Sequence, residues 1–297
     1  ELSSTNKGQI SFKLDPELHQ WAFQDSSPLY LQLNASGRSA REVESVAGVT
    51  TQVDGTSSAT VAASGTPLAP VGHGKLELTQ ASVADEPIKT ASVGFDADGT
   101  TISAKIDADL PAGSATGNVK YTLNQQKYVL EVHAQGIKLA RLAHVKDRNL
   151  QLTGSLNLSA SGQGTLQDPN LQALIEVPQL QVRGQAINDL KLSANVAEHV
   201  AKLDLTSQVL GSHAEGHGTV QLSGEYPVEF ALDTQALPLQ PIFAMYAPSH
   251  ASDLTGPTEL HAKLRGRLKA RSRLETHGGI PQLKLNYKNT IQLAATQ

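Results

Sequence analysis

His213, Glu215 and His217 alternate along the chain, so in an extended strand they would project from one face. Imidazole and carboxylate at that spacing could hold a divalent metal. Gly211, Gly216 and Gly218 flank them, and the stretch reads better as a turn with its polar residues in solvent. Ser249, His250 and Asp253 carry the residue types of a nucleophile, a base and an orienting acid. A local S-H-x-x-D stretch has no base-orienting geometry of its own, so a loop cluster is expected there. No G-x-S-x-G elbow and no phosphate-binding loop occurs. Gly162-Gln163-Gly164 lacks the third glycine of a dinucleotide fingerprint and is expected as a bulge or close backbone approach. One basic run, KLRGRLKARSR from Lys263 to Arg273, reads as a solvated strand face and turn. Its functional alternative is contact of Lys269, Arg271 and Arg273 with anionic lipid head groups or an acidic partner. Clustered carboxylates and aromatics are too few for a carbohydrate-active enzyme. No catalytic residue, metal site or cofactor is expected, and the chain is not expected to be an enzyme.

The composition narrows the class further. The 297 residues carry 24 Lys+Arg against 28 Asp+Glu, a net charge of -4, with 18% charged and 4% aromatic. This balance argues against nucleic acid as a partner. The hydrophobic share of 39% is enough for a core, which argues against wholesale disorder. With no cysteine, disulfide scaffolds, thiol catalysis and iron–sulfur clusters are excluded, and an extracytoplasmic bacterial setting fits. No apolar run approaches the roughly 18–20 residues that span a bilayer. The start at Glu1, with neither Met nor leader, reads as a segment of something longer.

The elements that would position any site are strands. Ile102, Ile106, Ala108 and Leu110 share one parity; so do Leu171, Ala173, Ile175 and Val177; so do Leu190, Leu192, Ala194 and Val196. A period of two with turn residues between runs predicts half-buried antiparallel strands, one face apolar and one wet. Three short helices are predicted, over 39–47, 138–145 and 238–246, each packing an apolar stripe on the sheet. They lie about a hundred residues apart, which points to a repeat. A shift of 99 aligns Gly37 with Gly136 and Gly55 with Gly154; a shift of 102 lays Leu152–Leu166 over Leu254–Leu268, with Gly154 on Gly256. The predicted organisation is a lead-in over 1–26 and units over 27–125, 126–225 and 226–297, the last incomplete. The fold class expected is all-β, a repeating, mostly antiparallel curled sheet with about one short helix per unit.

GTLQDPNLQALIEVPQLQVRGQAINDLKLSANV (Gly164 to Val196) resembles a pattern of the bacterial TamB family of AsmA-like envelope proteins. GHGTVQLSGEYPVEFALDTQALPLQP, LTGPTELHAKLRGRLK and IPQLKLNYKN are similar to further parts of it. The resemblance covers about 145–292 well and 27–144 in degenerate form. It implies the β-taco or groove fold, a periplasmic protein anchored in the inner membrane, and lipid carriage between inner and outer membrane. It also implies phospholipid acyl chains as cargo and an outer-membrane Omp85-type barrel as partner of a part beyond this chain. The expected lining of the groove is Leu130, Val132, Leu152, Leu158, Ile175, Leu190, Leu192, Leu203, Leu205, Val220, Leu222, Phe230, Leu260 and Leu264. Two alternatives stand beside lipid carriage. One is a scaffold or chaperone for outer-membrane protein or autotransporter assembly; the other is a sealed β-solenoid stalk with no cargo.

Overall fold

Period-two alternation builds strands, and the computed structural model contains them almost throughout. It describes residues 2–3, 9–16, 27–39, 53–83, 85–148, 150–241, 254–269, 274–287 and 291–296. The chain divides into two compact units, Glu1–Asn149 with Ser159–Gln167, and Leu150–Leu158 with Asp168–Gln297.

The first unit holds β1 (Leu2–Ser3), β2 (Gln9–Pro16), β3 (Leu29–Ser39), β4 (Val53–Thr66), β5 (Ala69–Val83), β6 (Glu86–Asp98), β7 (Thr101–Leu110), β8 (Gly113–Thr122) and β9 (Lys127–Lys138). Each pairs antiparallel with the next, a meander. Register puts Leu76 opposite Val93 and Val93 opposite Ile106, so one face is apolar from strand to strand. Glu77, Ser92, Asp107 and Thr116 form the corresponding row on the other face.

In the second unit, β10 (Leu152–Gly164, its first half), β11 (Pro169–Val182), β12 (Gln185–Ala197), β13 (Val200–Val209), β14 (Ser212–Gln221) and β15 (Pro227–Pro238) follow the same plan. β16 (Leu254–Thr255), β17 (Pro257–Arg267), β18 (Glu275–Gly279), β19 (Gln282–Tyr287) and β20 (Ile291–Thr296) complete it. β17 pairs with β15 on one side and with β18 and Leu283 of β19 on the other.

The backbone irregularities recur at the sequence's own spacing. Gly37 and Gly136, then Gly55, Gly154 and Gly256, all have positive φ. At Gly154 (φ 144) a Cβ would stand 2.5 Å from the Gln179 carbonyl, so a side chain is barred twice over. A second device repeats as well. Leu78 and Ala81 share the apolar face across two exposed residues, opposite Ala91 and Ile88; Val177 and Leu180 do the same opposite Leu190 and Ile187. Gln80 (φ 48) and Asp189 (φ 51) sit at these kinks.

The helical expectation is met over 139–147, and residues 239–241 of the third predicted helix are helical as well. Leu139–Arg141 is a 3-10 turn and Ala143–Asp147 a short helix, α1. Leu139 is buried, but α1 buries nothing, because five residues are too few to present an apolar stripe. Most of the rest of the other two predicted helices lies outside the described residues.

All-β, mostly antiparallel architecture with few short helices is therefore right, and the curled β-taco is not. The sheet is not strongly curled. Within each unit strands pair in chain order up to β15, beyond which β17 lies beside β15 and β16 pairs with β19, and no described pairing closes the meander on itself. Period-two alternation marks which face is apolar and is the same in a flat and a rolled sheet; rolling needs further bends of one sense. Among the described residues the buried apolar set mixes small side chains such as Ala59, Ala112 and Ala214 with larger ones such as Val177, Leu180, Val228 and Leu237.

Candidate functional site

All fourteen expected lining residues are half-buried, from Leu130 and Val132 on β9 to Leu260 and Leu264 on β17. Register brings many of them together. Ile175, Leu192 and Leu205 are successive partners, and Leu203, Gly218, Phe230 and Leu264 form the next row. Phe230 covers two glycines: a Cβ on Gly216 would meet its ring at 2.7 Å, and one on Gly218 would meet its ring at 2.6 Å. In the first unit Phe95 lies over Gly74 in the same way, at 2.3 Å. The aromatic thus fills the space a glycine leaves, which packs the apolar face with its own side chains. Sequence reasoning missed these pairs, because their partners stand across strands whose register is not written in either segment.

Two hollows form among the described residues, and the larger of them shares Leu203, Phe230 and Leu264 with the expected lining. One, of about 780 Å³, runs across β13, β14, β15, β17 and β18. Its walls are two adjacent rows of the wet face. Lys202, Thr219, Glu229, Arg265 and Glu275 are successive partners on one side, and Asp204, His217, Ala231, Lys263 and His277 on the other. The apolar row of Leu203, Gly218, Phe230 and Leu264 lies between these two rows and contributes the floor. A second hollow, of about 480 Å³, repeats the plan in the first unit, between the Glu77, Ser92, Asp107, Thr116 row and the Thr79, Thr90, Asp109, Ser114 row. Both are troughs between ridges of polar side chains over a floor from the apolar rows, the relief that long side chains give a sheet.

Polar groups along the troughs serve the sheet. Arg265 Nε lies 3.0 Å from Glu229, Lys191 Nζ 3.0 Å from Glu176, and Lys89 Nζ 3.4 Å from Asp109, each pair on neighbouring strands. His261 Nδ1 contacts Asp233 directly across β17 and β15. Such exposed pairs add about 0–1 kcal/mol each and favour register. The basic run is engaged likewise. Arg267 contacts Glu225, and Lys269 stands over the Tyr226 ring at 4.5 Å. Arg271 and Arg273, like Ser249, His250 and Asp253, lie outside the described residues.

His213, Glu215 and His217 do share a face, but of strand β14 rather than of a turn. Gly216 and Gly218 lie beneath Phe230, whereas Gly211 does stand in the turn before β14 (φ 81). His213 Nε2 is 3.7 Å from Glu215, and among the described residues no three His, Asp or Glu side chains are grouped to hold a metal. Gly164 ends β10 with φ 128, a strained backbone position rather than a phosphate loop. In the turn after β6, Asp98 accepts hydrogen bonds from the Thr100 N–H at 2.8 Å, the Thr100 hydroxyl at 2.8 Å and the Thr101 N–H at 2.7 Å. The Thr100 backbone bond, then the hydroxyl, then the Thr101 bond hold its carboxyl below the usual range. This is a turn device on an exposed group.

Among the described residues no helix is long and apolar enough to cross a membrane. No family model, no curated protein and no solved structure matches the chain. The resemblance to the TamB family therefore does not stand. It rested on strand-and-turn spacing that any antiparallel meander of this period shares, and the strongly curled trough it requires is missing. Lipid carriage between inner and outer membrane falls with it, since a sheet without that curl encloses no acyl chain.

Proposed function

We propose that the chain is a non-catalytic structural scaffold, a repeated β-meander that carries no apolar cargo. The reading is supported above all by the packing of the apolar positions, which fill one another's space across strands, with Phe230 over Gly216 and Gly218 and Phe95 over Gly74. The recurring kinks and positive-φ glycines favour the same reading, because an array that each neighbour extends is a way to build surface and length. The scaffold works outside the cytoplasm, a setting that the cysteine-free sequence suits.

The test is photo-crosslinking in cells, with p-benzoylphenylalanine in place of Phe230. The scaffold reading predicts crosslinks within the chain, to β14. Recovery of lipid on that position would overturn it.

A further inference from the structure

Glu86 opens β6, and its carboxylate reaches a residue 57 positions further on. Its Oε2 accepts a hydrogen bond from the Ala143 N–H at 2.9 Å. Ala143 is the first residue of α1, and Leu142 before it supplies no side-chain cap. The first N–H groups of a helix have no partner within it, so a capping acceptor matters most where little else holds the helix. α1 is such a case, with five residues and none buried. A helix so short does not persist by itself.

Just before it, Leu139 is buried. The Arg141 guanidinium donates to the Pro111 carbonyl at 3.2 Å, and the Lys138 N–H to the Ala112 carbonyl at 2.6 Å. These anchors lie at the turn between β7 and β8, and Glu86 lies at the turn between β5 and β6. The segment therefore runs across two turns at one end of the first unit's strands. One contact works against it. Glu86 Oε1 is buried without a partner, and a buried acceptor with no donor disfavours the arrangement that buries it.

We propose that Glu86 is a latch that holds residues 142–147, beyond the buried Leu139, as a detachable strap. Closed, Oε2 caps α1 while Oε1 stays dry. Released, both oxygens meet water, α1 melts, and the connection between β9 and β10 becomes an open loop. The hydrogen bond and the stranded oxygen oppose each other, which keeps the open arrangement within a few kcal/mol of the closed one, as a local two-position element requires. The proposal does not depend on the scaffold reading.

Amide hydrogen exchange on the whole chain tests it, comparing the native protein with Glu86→Ala and Glu86→Gln. Glu86→Ala should speed exchange across 143–148 by roughly 2- to 30-fold, the range that loss of a cap produces, with β6, β7 and β8 unchanged. Glu86→Gln keeps an acceptor oxygen and should stay within about twofold of native. The latch is overturned by unchanged exchange in Glu86→Ala, by equal acceleration in both variants, or by faster exchange spread through the strands.

Discussion

Leu192 separates a structural apolar face from a cargo surface. It stands on β12 between Ile175 of β11 and Leu205 of β13, half-buried by those neighbours. Leu192→Ala removes three carbon groups. At about 0.8 kcal/mol for each fully buried methylene, and with part of the side chain already wet, the loss is about 1.5–2 kcal/mol. Leu192→Asp forfeits the same contacts and places a carboxylate between two aliphatic side chains, adding about 1–3 kcal/mol of desolvation. Urea unfolding followed by circular dichroism reads the difference. With a slope of about 1–3 kcal/mol per molar, Leu192→Ala should lower the second unit's midpoint by about 1 M, and Leu192→Asp by more, with the slope unaltered. Lys191→Ala on the wet face is the control. It breaks an exposed 3.0 Å pair with Glu176 and should cost no more than about 1 kcal/mol. Were Leu192→Asp to leave the midpoint in place, the apolar face would contribute nothing to the fold, and the reasoning from its packing would be refuted.

The glycines beneath the aromatic give a second contrast. A Cβ on Gly218 would meet the Glu229 carbonyl at 2.4 Å, whereas one on Gly117 finds nothing nearer than 3.4 Å. Gly218→Ala should therefore cost about 1–3 kcal/mol by overpacking while Gly117→Ala is tolerated; equal stabilities in thermal unfolding would contradict this. Asp98 titrates below the ordinary carboxylate value when folded, so its turn bonds add stability above the unfolded value of about 3.9. That stability is lost as pH falls through the lower folded value. NMR titration of its carboxyl carbon should place the midpoint below that of an unstructured peptide, and an unshifted midpoint would contradict the hydrogen-bonded turn.

Much of the strand architecture was legible because alternation is local. Leu190 and Leu192, or Leu203 and Leu205, declare their face without knowledge of a partner, and register then places them together. The paired glycines were legible too. Gly55, Gly154 and Gly256 align in sequence and share a backbone conformation that other residues adopt at a cost. Curvature was not legible, since the same alternation serves flat and rolled sheets. The wet troughs were hidden for a related reason. Lys202, Glu229 and Arg265 come from three strands far apart in the chain, and their row exists only once register is set. His213, Glu215 and His217 misled toward a turn because Gly216 and Gly218 look like turn residues, although they make room for Phe230. Glu86 and Ala143 gave no signal, being a strand residue and a helix start joined by one hydrogen bond.

Native mass spectrometry of the protein taken gently from its own cells bears most directly on whether this sheet carries anything oily. The account predicts the mass of the bare chain. Folded chain that retains phospholipid-sized adducts through gas-phase activation would contradict it and restore a loaded apolar face.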